Sequence, residues 1–327
     1  MEYPTSIVKS LKVPRGYNYT FVHILPDGSR PTILFLPGFP EPAFDWHYQV
    51  DHFKGLGYGI IAPDLLGYGA TDKPTDYKEY RMKRMAEDVV AILDHLDMKQ
   101  VIGIGHDWGA GLLAALSAYF PDRFINYTFA AVGYAAPGRM DTEKTNQMTK
   151  AMLGYEAFGY FQFFGEADAA SILDNNMESL NALLFSEEDP DHWKNDICPP
   201  GKARAWLTAR KTAPLPPWLK PSDLETRSKI LSQGGFTGPL NWYKQAMDPF
   251  NDEDAKTAVV KGIPEKPVLF IGDSRQAAMP MEMMEGMTRQ GCNNLTVKKL
   301  NTTHWMMLED PQGVNREIEE FLKANGV

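Results

Sequence analysis

Nine residues in the first third of the chain, GIGHDWGAG from Gly103 to Gly111, crowd a carboxylate among glycines. Gly105-x-Asp107-x-Gly109 has the spacing of a nucleophile elbow, with Asp where the common motif carries Ser. Such an elbow is a sharp strand-to-helix turn that lifts one side chain clear of the sheet. The glycines on either side remove Cβ atoms that would clash, and Ala110, Gly111, Ala114 and Ala115 let the following helix pack close to the sheet. The carboxylate of Asp107 then sits at a helix N-terminus, ionised and accessible. There it can attack carbon and form an alkyl ester. Turnover of that ester needs a base and an oxyanion hole. His304, in TTHWMMLEDP just after the last predicted strand, is the candidate base. The backbone N–H groups of Trp108 and of Phe39, in LPGFPEP, are the candidate oxyanion donors.

These residues need strand ends to hold them. Thr32–Leu36 is a continuous apolar run stopped by Pro37-Gly38, a second short run stops at Pro63, and VIGIG (residues 101–105) is a third. Short runs without polar alternation suit the middle of a parallel sheet buried on both faces. Met82, Met85, Val89, Ile92, Leu93 and Leu96 recur at helical spacing between the second and third runs. A fourth strand is expected within Asn126–Gly133. From about Pro137 to Phe250 the texture changes to aromatics, Met and Pro, and APLPPWLKP (Ala213–Pro221) cannot be a helix interior. Strand signals return at Lys266–Gly272 and Asn294–Leu300, and a helix starting near Pro311 closes the chain. The alternation predicts an α/β core in two parts, residues 1–136 and 251–327, interrupted by a helical insertion at 137–250.

Composition narrows the function. The 327 residues carry a net charge of −9, which argues against nucleic acid or an anionic membrane as partner. Two cysteines exclude a disulfide framework and a four-cysteine zinc site. The first residues, MEYPTSIVKSLKVPRG, have no apolar signal region, and no run reaches the roughly 20 apolar residues of a membrane helix. A cytoplasmic location is therefore expected. Met279–Met287 reads as a core-facing helix, Glu187–Trp193 as a solvated loop. The glycines of GIGHDWGAG do not make a dinucleotide fingerprint.

The set GFPEPAFDWHYQ, APDLLGYGATDKP, GHDWGAG, GGFTGPLNWYK and HWMMLEDP resembles the epoxide hydrolases of the α/β-hydrolase fold, of the soluble, fungal and plant type, over nearly the whole chain. The chain order nucleophile, acid, His is that of the fold. The resemblance implies a mostly parallel central sheet flanked by helices, with a mainly helical cap inserted. It makes Asp107 the nucleophile and His304 the base, and gives two cap tyrosines that hold the epoxide oxygen. Tyr243, in GPLNWY, is one; Tyr160, in FGYFQFF, is the other, with Tyr155 competing. A phenol suits that task because its pKa of about 10 leaves the proton available at neutral pH. The resemblance also implies that Phe39-Pro40 is cis.

Two positions depart from the family. Pro37 stands where the family carries His before the hole glycine. Gln276 falls where the family acid is expected, and a Gln cannot stabilise imidazolium by charge. The nearest carboxylate, Asp273 at the strand tip, is taken as the acid, with Gln276 as the alternative. The sequence thus reads as a cofactor-free, metal-free hydrolase that converts small apolar epoxides to vicinal diols. It has no nucleic-acid partner and no integral membrane segment, and its oligomeric state is open. The rivals are a haloalkane or haloacid dehalogenase, which uses the same nucleophile, and a weakly active or non-catalytic small-molecule-binding protein on this scaffold.

Overall fold

The computed structural model describes residues 3–275 and 278–327. Among them, eight strands form one sheet: β1 (Val8–Lys12), β2 (Asn18–Ile24), β3 (Thr32–Leu36), β4 (Gly59–Pro63), β5 (Val101–His106), β6 (Phe124–Ala130), β7 (Val268–Asp273) and β8 (Leu295–Leu300). Their order is β1-β2-β4-β3-β5-β6-β7-β8. The hairpin β1–β2 pairs antiparallel and joins β4 antiparallel; every other pairing is parallel. The apolar runs behave as expected, since every residue of β3, β4, β5 and β7 is buried.

Successive side chains alternate between two core layers. Ile33 and Phe35 pack with Trp46, Phe53, Ile318 and Phe321 on one face. Leu34 and Leu36 pack with Val89, Leu113 and Phe129 on the other. The first face carries α1 (His47–Gly55) and, later in the chain, the closing helix; the second carries α2 (Met82–His95) and α3 (Trp108–Tyr119). The chain runs from β3 outward to β4, then crosses back over β3 to β5, so β3 and β5 are neighbours that lead to opposite sides. The crevice beyond their carboxyl ends is where open α/β sheets bind ligands.

Between β6 and β7 the chain folds into helices: α4 (Thr142–Leu153), α5 (Tyr160–Gly165), α6 (Ala169–Asp174), α7 (Met177–Phe185), α8 (Lys202–Thr208), α9 (Pro221–Gly234), α10 (Thr237–Ala246) and α11 (Phe250–Ala255). APLPPWLKP is a turn-rich connection, and its last residue, Pro221, opens α9. The remaining helices are α12 (Met281–Gly291), α13 (Met306–Glu309) and α14 (Pro311–Ala324). No helix among the described residues is long and apolar enough to cross a membrane.

Candidate active site

Asp107 joins β5 to α3 with φ 50° and ψ −120°, a conformation that costs a non-glycine residue about 1–3 kcal/mol and is kept only where the surroundings enforce it. The enforcement is steric. A Cβ at Gly105 would overlap the Gly109 carbonyl, and one at Gly109 would overlap the Leu36 carbonyl of β3. The result lifts the Asp107 carboxyl into a cavity of about 440 Å³, with 21% of its side-chain surface exposed.

Its two oxygens have different partners. Oδ1 accepts the Phe39 N–H at 2.8 Å, and the carboxyl also accepts the Trp108 N–H. Oδ2 lies 3.5 Å from His304 Nε2. Burial raises the carboxyl's pKa, but the bond and charge of His304, the charge of His106 and the Trp108 N–H outweigh it and hold Asp107 below the ordinary carboxylate range. An ionised oxygen is thus available at Oδ2, while Oδ1 already accepts the Phe39 N–H. The loop that supplies Phe39 contains a cis Phe39-Pro40 peptide bond, as the resemblance implies.

His304 follows β8 in a loop fastened on three sides. The Thr303 N–H and Oγ1 both donate to Glu309 Oε2 at 2.7 Å, and Trp305 Nε1 donates to the Leu184 carbonyl of α7 at 2.9 Å. The third contact is His106, whose Nε2 lies 2.8 Å from the His304 carbonyl. Asp273, the last residue of β7, is 3% exposed and lines the same cavity. Burial raises its pKa to about 6 against the opposing charges of His304 and His106. Among the described residues its Oδ2 has no hydrogen-bond partner and it forms no ion pair with His304. Gln276, the alternative, lies outside the described residues.

Tyr160 and Tyr243 both line the cavity, with ring centroids 6.0 Å apart. Burial and the Asp107 charge raise both phenols well above their ordinary value, so each stays protonated. The NWY triplet explains the placement of Tyr243. Trp242 Nε1 donates to the Leu66 carbonyl at 2.9 Å, and Asn241 Nδ2 donates to the Pro74 and Thr75 carbonyls, which pins α10 to the core. The Tyr243 ring is then boxed edge-on by Phe39, Trp108, Phe161 and Phe164 at 4.8–5.2 Å. The Trp108 side chain also bonds to its hydroxyl. An indole only donates, so the phenol's own proton remains for a ligand. Tyr155 is placed otherwise, its hydroxyl donating to the Ala278 carbonyl at 3.1 Å.

A match to the alpha/beta hydrolase fold family spans residues 31–311. Epoxide hydrolase 3 of Siraitia grosvenorii is 30% identical over 319 residues, covering 92% of this chain and 94% of that protein. Epoxide hydrolase 2 of the same plant is 31% identical over 227 residues, 68% of each chain. The structure of potato (Solanum tuberosum) epoxide hydrolase I superposes with a TM-score of 0.80 at 26% identity, covering 97% of this chain and 99% of that one. The chain belongs to the epoxide hydrolases of the α/β-hydrolase family.

Two residues of this epoxide hydrolase site escape sequence reasoning. Glu41 and His106 are both 0% exposed, and Glu41 Oε1 lies 2.7 Å from His106 Nδ1. Glu41 Oε2 accepts the Gly38 N–H at 2.6 Å. Burial opposes a charge on His106, but Glu41, Asp107 and the His304 carbonyl together raise its pKa to about 9. Valence gives the same answer: one ring nitrogen faces a carbonyl and the other a carboxylate, both pure acceptors, so both nitrogens donate. The imidazolium links the hole loop to the backbone of His304. A glutamate set between two prolines in GFPEP, directly after a wholly apolar strand, is the signal that could have found the pair.

The methionine-rich stretch also differs from expectation. Met279 and Met281 are buried as expected, but of α12 only Met281 and Thr288 are buried; Met284 and Met287 line the cavity and Met287 is exposed. In Glu187–Trp193 the acids at 188, 189 and 191 are exposed as expected, whereas Trp193 is buried with its ring 5.1 Å from that of His304. No group of three or more His, Cys, Asp or Glu among the described residues is placed to hold a metal.

Proposed function

We propose that Asp107 Oδ2 attacks a carbon of a small apolar epoxide while Tyr160 and Tyr243 donate hydrogen bonds to the epoxide oxygen. The C–O bond breaks, one phenol proton passes to the alkoxide, and a hydroxyalkyl ester of Asp107 remains. His304 then takes a proton from water, whose oxygen attacks the Asp107 carboxyl carbon. The oxyanion forms at Oδ1, which the Phe39 N–H already reaches, with the Trp108 N–H as its second donor. Collapse breaks the acyl C–O bond, the departing alkoxide takes the second water proton so that a vicinal diol leaves and Asp107 is again a carboxylate, and the proton held by His304 passes back to restore the phenol. Asp273 supports the imidazolium by charge. Residues 137–250 serve as the cap that carries both phenols, over a core of residues 1–136 and 251–327, and the enzyme works in the cytoplasm.

One observation carries this reading: two protonated phenols share a cavity with an ionised, accessible carboxylate whose other oxygen is held by the Phe39 N–H. Against the dehalogenase reading, the donors that line the cavity are two buried, protonated phenols, which suit an epoxide oxygen. The test is intact mass of protein quenched within milliseconds of mixing with styrene oxide, followed by peptide mapping. An adduct equal to the whole epoxide on the Asp107 peptide, decaying to diol, is expected. Absence of both adduct and diol over a panel of epoxides overturns the proposal in favour of a binding protein. Turnover of haloalkanes with release of halide favours the dehalogenase.

A further inference from the structure

The seam between α9 and the oxyanion loop holds a second buried ion pair that the reaction scheme does not use. Arg227, in the middle of α9, and Asp45, in the short 3-10 turn Ala43–Trp46 after the loop, are each 1% exposed. Arg227 Nη2 donates to Asp45 Oδ2 at 2.7 Å and to the carbonyl of Pro40 at 2.9 Å, and Nε lies 3.3 Å from both Asp45 oxygens. Pro40 directly follows Phe39, whose N–H is an oxyanion donor. The same guanidinium lies over the rings of Phe185, at 4.7 Å, and Trp305, at 5.7 Å, and Trp305 directly follows His304. One planar cation of the inserted helices therefore touches the neighbours of both the hole donor and the base. One turn earlier on α9, Asp223 accepts the Tyr48 hydroxyl at 2.7 Å and lies 3.6 Å from His47 Nε2, fastening α9 to the segment after the loop.

Removing two charges from water carries a desolvation cost that their attraction at best offsets, so such a pair is a poor way to gain stability alone. What the pair supplies is direction. A guanidinium presents N–H groups in a fixed plane, so it can hold a carboxylate and a carbonyl at a set angle, which a lysine ammonium cannot do.

We propose that Arg227 is a positioning residue that couples seating of the inserted helices to the alignment of the Phe39 oxyanion donor and the His304 loop. This rests on the epoxide hydrolase mechanism above for its catalytic consequence, but not for the coupling itself. With Arg227 in place, the Pro40 carbonyl is held and the Phe39 N–H stays on Oδ1. Without it, the peptide bearing the donor is released while the carboxylate and the two phenols stay where they are. Ester formation, which needs Oδ2 and the phenols, then suffers less than ester hydrolysis, which needs the hole and the base.

The test uses the full chain with Arg227→Lys, and an Asp45→Asn/Arg227→Met double variant that removes both buried charges and keeps the fold available if a single change does not. Hydrogen exchange of backbone amides is read first. Both variants are expected to exchange faster in peptides covering residues 37–46 and 303–306, with those covering β5 and α3 unchanged. Unchanged exchange in the loop peptides of a folded variant overturns the proposal, whatever the reaction. Rapid-quench mass spectrometry with styrene oxide then separates the two half-reactions. Hydrolysis of the ester is expected to slow about 10- to 100-fold, below the loss for deleting a hole donor outright, and formation by less than about threefold. Equal slowing of both steps also overturns it. If the mechanism itself is wrong, the wild-type chain forms no ester, yet the exchange response to Arg227 still appears and upholds the coupling.

Discussion

The buried Glu41–His106 pair gives a stability prediction with a defined pH signature. Glu41→Gln keeps the shape of the side chain. Its amide oxygen can still accept the Gly38 N–H, and its amide N–H can donate to a neutral His106, whose Nε2–H keeps the His304 carbonyl. Only the charge is lost. In the folded wild-type chain His106 titrates at about 9 against an ordinary 6.5. At about 1.4 kcal/mol per pH unit that difference is worth roughly 3 kcal/mol. The sign follows from a raised folded pKa: the contribution is full below about 6.5 and is lost as pH rises through about 9. Urea unfolding followed by tryptophan fluorescence should find the variant less stable by roughly 3 kcal/mol at pH 6.5. At pH 8 the deficit should fall to roughly half, and by pH 10 it should close. A deficit that is constant across this range, or absent at pH 6.5, refutes a charged His106.

Further outcomes follow from the same geometry. His304→Gln should let the Asp107 ester form and accumulate, seen as a persistent whole-epoxide adduct; free diol at the wild-type rate would exclude His304 as the base. Tyr160→Phe should slow ester formation by about 100-fold, the low end for a general acid because Tyr243 remains, while Tyr155→Phe leaves it within about twofold, since Tyr155 is tied to Ala278. The reverse ranking in single-turnover kinetics would hand the second-phenol role to Tyr155. Asp273, with its pKa raised to about 6, carries charge only above that value, so ester hydrolysis should fall as pH drops through about 6. Asp273→Asn should remove that inflection, and a wild-type profile flat from pH 5 to 7 would dismiss Asp273 as the support.

The legible parts of the sequence were those fixed by local sterics and continuous burial. TILFL, GIIAP, VIGIGH and VLFIGD have no polar alternation because helices cover both faces of each strand, and their boundaries could be read within a residue or two. The elbow was legible because only small residues fit between β5, α3 and the Leu36 carbonyl. The hairpin β1–β2 was not, because β1 lies at the sheet edge, half in solvent, and VKSLK carries little apolar signal. The candidate-site residues Asp107, His304, Tyr243, Phe39 and Trp108 were legible from motif and chain order. His106 and Arg227 were not, since their partners Glu41 and Asp45 lie tens or hundreds of residues away, and the one local hint was Glu41 between two prolines in GFPEP. The methionines of 279–287 show the same limit: periodicity identifies a helix but not whether its apolar side faces protein or an opening.

The crossing of the chain over β3 has a consequence for how new reactivity can arise on this scaffold. Asp107, the Phe39 loop, Asp273 and His304 are all set at the carboxyl ends of parallel strands, as a rigid floor, whereas both phenols belong to the roof. In the proposed mechanism the floor handles an aspartyl ester whatever electrophile made it, and the roof decides which electrophile is admitted and activated. Exchange of the segment between β6 and β7 alters the first half of the reaction and spares the second, provided the replacement brings its own contact to the Pro40 carbonyl. On the proposed coupling, reaction type and turnover machinery can thus drift separately, linked at the oxyanion loop through the Arg227 guanidinium.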